Sequence, residues 1–181
     1  MNVTFAPATY ERLSLDEERA LYGITHATVK NCLFDGPADG ESALKEASDV
    51  TVENCDFRLR YPLWHVHGGR MAGCTLTDTC RAALWYTEDM AIEGSTLGGI
   101  KALRECAGVE IRDCSIDSQE FGWKSKNITL TDCDLTAEYV FFDSRDVKLD
   151  RVKMKGKYYK LIQIQTMSDQ IRKTKEEERF D

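Results

Sequence analysis

Residues 49–57 read DVTVENCDF, and this alternation of apolar residues, followed by a small residue and one further apolar residue, decides the fold. The pattern returns in ATVKNCLF (27–34), GRMAGCTL (69–76), DMAIEGSTL (89–97), GVEIRDCSI (108–116), NITLTDCDL (127–135) and DVKLDRVKM (146–154). The small position forms a column, the small column, made of Cys32, Cys55, Cys74, Ser95, Cys114, Cys133 and Val152. Its members lie 19 to 23 residues apart, a spacing that indicates an internal structural repeat.

A second column lies eleven residues before the first and keeps the same spacing. This leucine column consists of Leu21, Leu44, Leu63, Leu84, Leu103, Gly122 and Phe141. Alternation with period two is typical of strands, and no helical pattern lies between the copies. The repeat therefore predicts an all-β protein, a parallel β-solenoid of about seven coils stacked about 4.8 Å apart.

A leucine-rich repeat has a similar period and is the alternative fold. It would require the pattern L-x-x-L-x-L followed by Asn or Cys. The observed V-x-V-x-x-C-x-L instead indicates a bend between two strands.

The length of 181 residues suits one domain with a sizeable core. We expect the solenoid to cover residues 1–165, with residues 1–17 as an N-terminal cap in which Ser14 and Glu17 have capping-box spacing. Residues 161–164 supply apolar positions for a last strand. Residues 166–181 are polar and charged, which favours a tail or cap that is frayed or helical.

Composition excludes several classes of function. A net charge of −7 and a pI of about 5.1 argue against nucleic-acid binding. No apolar run approaches the length of a membrane span, and the N-terminus does not resemble a signal peptide, so we expect a cytoplasmic protein without membrane contact. No cofactor motif is present, and we expect none to be bound.

Seven cysteines raise the question of metal or redox chemistry. No C-x-x-C pair occurs, and an odd number without an export signal favours free thiols. Because buried apolar cysteines behave as small hydrophobic residues, we interpret the small column as core rather than as a metal or redox ladder. Cys80 and Cys106 lie beside small residues and are interpreted in the same way.

Several long motifs resemble a known family. DEERALYG (16–23), DGPADGESALKEA (35–47), CRAALWY (80–86) and GIKALREC (99–106) are similar to a bacterial family of right-handed parallel β-helix proteins named domain of unknown function 3737. The resemblance covers roughly residues 16–158. It implies a right-handed, single-stranded, pectate-lyase-like solenoid, with no established activity. Family members continue for several more coils, so the tail is expected to be an early cap, a truncation or a shifted reading frame.

If the leucine column points inward, the residues that follow it point outward. One flank of the rod would then carry a ligand-binding set of Lys45, Trp64, Trp85, Tyr86, Lys101 and Trp123. Aromatic rings with flanking charges suit a saccharide, whose C–H faces stack on rings while its polar groups meet charged side chains. The alternative is a non-catalytic scaffold or protein-interaction rod, in which the charges only form ion pairs between coils. The oligomeric state stays open, a homodimer through a rod face or end included.

Catalysis is a further hypothesis. An acid–base pair would come from Glu46, His65 or Glu105, with Arg81 or Arg104 stabilising charge, as in a polysaccharide lyase or glycoside hydrolase. No column stacks three carboxylates as a calcium site would require, and we predict no metal site. His65 and His67 share a strand face but lack a third ligand, so we interpret them as a surface pair.

Overall fold

A computed structural model describes residues 6–37 and 40–156 and two short strands at 166–167 and 172–173. The first long sheet contains β1 (Ala8–Glu11), β3 (Thr25–Lys30), β5 (Ser48–Glu53), β7 (His67–Ala72), β9 (Glu88–Glu93), β11 (Ala107–Arg112), β14 (Lys126–Thr131), β17 (Arg145–Asp150) and β19 (Thr166–Met167). The second contains β2 (Ser14–Leu15), β4 (Leu33–Phe34), β6 (Asp56–Phe57), β8 (Thr75–Leu76), β10 (Thr96–Leu97), β12 (Ser115–Asp117), β15 (Asp134–Thr136), β18 (Lys153–Lys155) and β20 (Arg172–Lys173). A small third sheet pairs β13 (Glu120–Phe121) with β16 (Tyr139–Val140), and Asp78–Cys80 form a 3₁₀ turn.

Every strand pairs in parallel with the equivalent strand of the neighbouring coil. The predicted all-β parallel solenoid is therefore confirmed. The sheets contain more strands than the seven copies of the repeat, because β1 and β2 form a coil that the pattern does not mark. In that coil Leu13 takes the place of the small residue and is 38% exposed, since among the described residues no coil packs on the outer side of β1 and β2.

The described parts of both chain ends contain strands. Ser14 lies in β2 and pairs with Leu33, so residues 8–15 cover the next coil as strands. The expected last strand at 161–164 lies outside the described residues. Within the expected tail, β19 and β20 continue the two long sheets as strands.

The bend between the paired strands of each coil has a local backbone cause. The residue before each member of the small column has a positive φ between 50° and 63°. Asn, Asp and Gly tolerate this left-handed conformation best, and they occupy six of the eight positions: Arg12, Asn31, Asn54, Gly73, Gly94, Asp113, Asp132 and Arg151. The bend predicted from V-x-V-x-x-C-x-L is confirmed.

The small column lies inside the coil, with every member at most 4% exposed. Its side chains satisfy backbone groups that the bend leaves unpaired. The Cys55 N–H donates to Cys74 Sγ (3.4 Å), and the Cys74 N–H donates to Ser95 Oγ (3.1 Å). A buried N–H without an acceptor is costly, so the sulfur or oxygen atoms of Cys74, Ser95 and Cys114 stabilise the bends that they contact.

All seven thiols are free and buried, as the core interpretation predicted. Burial raises the pKa of Cys80 and of Cys106 to about 12. Thiols with such a pKa hold little thiolate at neutral pH and react slowly.

The leucine column is also internal, but it lies in turns rather than in strands. Leu44, Leu63, Leu84 and Leu103 are fully buried although each has a positive φ near 60°. Gly122 takes the equivalent place because a Cβ there would lie 2.4 Å from the Phe141 ring. The residue after each leucine faces outward, which sets up the flank described next. In the described part of the chain, no helix is long and apolar enough to cross a membrane.

Candidate functional site

The residues that follow the leucine column form a stack along one flank of the rod. This aromatic column consists of Tyr22, Lys45, Trp64, Trp85, Arg104, Trp123 and Phe142. Trp64 and Trp85 stack with ring centroids 4.9 Å apart and planes 28° apart. The Arg104 guanidinium lies 5.0 Å from the centroid of the Trp85 ring. Further along, Trp123 packs on Phe142 with centroids 5.0 Å apart.

This stacking changes how the tryptophans can act. Coils repeat along the rod axis, so rings that stack between coils direct their faces at one another and their edges at solvent. The faces of Trp85 are in contact with Trp64 and Arg104, and its Nε1–H donates to the Lys101 carbonyl at 2.6 Å. The expectation of ring faces open to a sugar is therefore wrong for Trp85. Tyr86 is the more accessible ring, at 36% exposed.

Most charges beside the aromatic column form ion pairs. Glu41 pairs with Arg60 of the next coil at 3.2 Å, and Lys101 Nζ lies 3.6 Å from a Glu120 carboxylate oxygen. Arg104 lies 3.7 Å from Glu105, the next residue in the chain. Glu41–Arg60 and Lys101–Glu120 join neighbouring coils, whereas Arg104 and Glu105 lie on the same coil.

The structure brings Glu46 and His65 of the predicted catalytic set together. His65 Nδ1 lies 2.8 Å from a Glu46 carboxylate oxygen on the neighbouring coil. The rings of His65 and His67 are 4.6 Å apart, and His67 in turn lies 3.5 Å from Glu88. No group of three or more metal-ligating side chains occurs among the described residues.

Arg81 lies away from the other predicted catalytic residues. It lines a separate groove beside Asp35 and Arg58, formed where the insertion after β4 meets the 3₁₀ turn. Arg58 in that groove pairs with Asp35 (3.3 Å) and Asp56 (2.7 Å). The predicted set is thus divided between two surfaces, with Glu105 on the surface described below.

An open groove of about 640 Å³ lies directly beside the aromatic column. Its floor is made of small side chains, Cys106, Ala107 and Ser125. One wall carries Glu105, Lys124 and Asp143, which immediately follow Arg104, Trp123 and Phe142 of the aromatic column. The other wall carries Glu88, Lys126 and Arg145, each the first residue of its strand.

This polar groove contains charged groups that are not used inside the molecule. Lys124, Lys126 and Arg145 form no ion pair or side-chain hydrogen bond within the described ranges. Carboxylates accept hydrogen bonds from hydroxyl groups, and Lys or Arg bind anionic groups. The groove therefore offers both kinds of contact to a ligand that lies along the rod.

Sequence reasoning found Glu105 but missed the other five charged residues of the groove. The signal was present in the repeat, because the residues of one wall are two positions after members of the leucine column and the residues of the other wall are four positions after them. The first of these positions supplies Glu46, His65, Tyr86 and Glu105 of the predicted set, and the second supplies none of it. That second wall becomes visible only when the first residues of β9, β14 and β17 are placed on neighbouring coils.

A single-chain parallel β-solenoid with an open polar groove is the class of protein that these observations define. Residues 8–169 match the family model described as "Protein of unknown function (DUF3737)", and the chain belongs to this family. The resemblance noted in the sequence is confirmed, while its pectate-lyase-like aspect stays a prediction. A search of curated proteins found no match.

Proposed function

We propose that the protein binds a saccharide chain that lies along the polar groove. The observation that carries this proposal is the combination of carboxylates and unpaired cations around an open groove beside a flank of aromatic edges. Sugar hydroxyls can donate to Glu105 and Asp143, while ring oxygens and other acceptors can meet Lys124. Tyr86 adds an accessible ring with a polar end next to the groove.

The groove is better suited to this role than the tryptophan row. A sugar needs a free ring face, and the stacked indoles offer mainly edges. The groove instead runs across the coils that contribute Glu105, Lys124 and Asp143, three consecutive coils at about 4.8 Å each. A linear ligand can therefore contact equivalent positions on successive coils, which is how solenoids use an elongated surface.

A glycan array followed by calorimetric titration of the best ligand tests the proposal. The Glu105→Gln variant removes a groove carboxylate and should weaken binding at least tenfold. Glu110→Gln makes the same chemical change at an exposed site on β11 outside the groove and should leave affinity unchanged. Absence of binding to every glycan, or equal loss in both variants, would overturn the proposal.

Processing of the bound sugar would use Glu105 as the acid or base, since it is the predicted catalytic residue that lines this groove. Turnover of a bound glycan by the wild type and its loss in Glu105→Gln would support a lyase or hydrolase. Unchanged turnover in that variant would remove Glu105 from the mechanism. Cytoplasmic location likewise stays a prediction.

Contact with a second copy of the chain is the other candidate function, and one observation favours it. Among the described residues, four of the six large apolar side chains that are at least 36% exposed lie on or beside the aromatic column: Tyr22, Tyr86, Tyr139 and Phe142. Exposed apolar groups on one face are typical of protein contacts. Sedimentation equilibrium should then show a dimer that Phe142→Ser dissociates. A monomer at all concentrations would exclude this candidate.

A further inference from the structure

Neighbouring coils generally place opposite charges beside one another. Arg70 of β7 lies between Glu53 and Glu93, contacting the first at 3.4 Å and the second more closely. Arg151 binds Asp132 of the preceding coil through two nitrogen atoms, at 2.5 and 3.0 Å. Such opposite-charge pairs stabilise adjacent strands, and like charges placed directly opposite destabilise them.

The wall of the polar groove formed by strand starts breaks this rule. Lys126 of β14 and Arg145 of β17 are direct partners in the parallel register, so their side chains leave the backbone about 4.8 Å apart. Both are exposed, and neither makes an ion pair within the part of the chain that the structure describes. On its other side, Lys126 has Ala107 of β11 as its register partner, so no acidic residue of this wall lies next to Lys126.

A repulsive pair of cations costs stability unless a third group neutralises it. Lys124 on the opposite wall adds a further unpaired cation to the same groove. The chain as a whole carries a net charge of −7, so this concentration of positive charge is local. Glu88, Glu105 and Asp143 also line the groove. They would repel an anion elsewhere along it and confine the anion to the Lys126–Arg145 wall.

We propose that Lys126 and Arg145 form a subsite for the anionic group of an acidic sugar, a carboxylate or a sulfate. This inference rests on the proposed saccharide function and names its ligand class. The Arg145 guanidinium offers two parallel N–H donors that match the two oxygens of such a group, and Lys126 adds a mobile point charge. Glu105 and Asp143 accept hydroxyl hydrogens of the same sugar chain. The groove thereby selects a ligand that carries both hydroxyl and acidic groups.

The experiment compares acidic oligosaccharides, a hyaluronan hexasaccharide among them, with the same sugars after reduction of their carboxylates to alcohols. Calorimetric titration at two salt concentrations uses the wild type, Lys126→Gln, Arg145→Gln and the control Lys148→Gln. Lys148 is an exposed cation of β17 outside the groove, so its variant has the same charge change. We expect at least tenfold tighter binding of an acidic form, lost in both groove variants and retained in the control.

Each outcome separates this inference from the proposed function. Equal binding of acidic and reduced sugars would overturn the anion subsite and leave saccharide binding intact. No binding of either form would overturn both.

A second measurement needs no sugar. At constant ionic strength, replacing chloride by inorganic sulfate should raise the melting temperature of the wild type more than that of Arg145→Gln. Identical sulfate effects on Arg145→Gln, Lys148→Gln and the wild type would also overturn the subsite.

Discussion

Replacing Trp85 by alanine should destabilise the fold, because the aromatic column stabilises the stack of coils. Three of the interactions that disappear with the indole set the scale of the loss. Its stacking on Trp64 contributes about 0.5–1.5 kcal/mol, and its contact with the Arg104 guanidinium contributes about 0.5–1 kcal/mol. Its hydrogen bond to the Lys101 carbonyl contributes about 0.5–1.5 kcal/mol. The expected loss in the free energy of unfolding is therefore about 1.5–4 kcal/mol.

Urea unfolding followed by circular dichroism measures this loss. A domain of this size should lose roughly 2–4 °C in melting temperature for each kcal/mol. Tyr22→Ala is the matched control, since Tyr22 occupies the same column at 55% exposure and makes no ring contact among the described residues. Its cost should stay below about 0.5 kcal/mol. A loss in Trp85→Ala as small as that of Tyr22→Ala would refute the stabilising role and make the indole faces available to a ligand again.

Three further predictions concern the backbone, a second indole and a buried thiol. Trp123→Phe should be neutral or stabilising, because the buried Nε1–H of Trp123 has no acceptor in the described structure. Trp85→Phe should cost about 1 kcal/mol, because it removes the hydrogen bond from Trp85 Nε1–H to the Lys101 carbonyl. Thermal unfolding of the two variants distinguishes these outcomes. Gly69→Ala should cost more than about 3 kcal/mol, since its Cβ would lie 2.2 Å from a carbonyl oxygen of the preceding coil. Gly23→Ala should cost about 1 kcal/mol, because the backbone there has a positive φ but no atom lies near the added Cβ. Similar losses of stability in the two variants would contradict this prediction. Because the pKa of Cys106 is raised from 9.0 to about 12, its contribution to stability is complete below pH 9 and lost as pH rises to 12. The wild type should therefore lose stability more steeply than Cys106→Ser across that window in urea titrations, by about 1 kcal/mol per pH unit. Parallel pH profiles of the two proteins would exclude this effect.

The fold could be predicted because its determinants are local and periodic. Each coil repeats the same apolar alternation, and two buried columns keep a constant separation of eleven residues, for example between Leu44 and Cys55. The coil formed by β1 and β2 escaped the pattern because, within the described residues, another coil packs on only one side of it. Leu13 there need not be small.

The site could be predicted only in part, because its geometry depends on side-chain direction between coils. The sequence placed Trp64 and Trp85 in one row, but it did not show that their rings stack face to face rather than lie flat on the surface. Lys126 and Arg145 lie 19 residues apart, and each is unremarkable within its own strand. Only the parallel register places them side by side.

The stacking of the small column is tested most directly by anomalous diffraction from sulfur in a crystal at long wavelength. The account predicts a nearly straight row of sulfur atoms inside the coil, about 4.8 Å apart, with one interval of about twice that length where Ser95 replaces a cysteine. The atoms of this row are the Sγ atoms of Cys32, Cys55, Cys74, Cys114 and Cys133. Sulfur sites dispersed through the molecule, without this row and its single gap, would contradict the solenoid register and with it the groove.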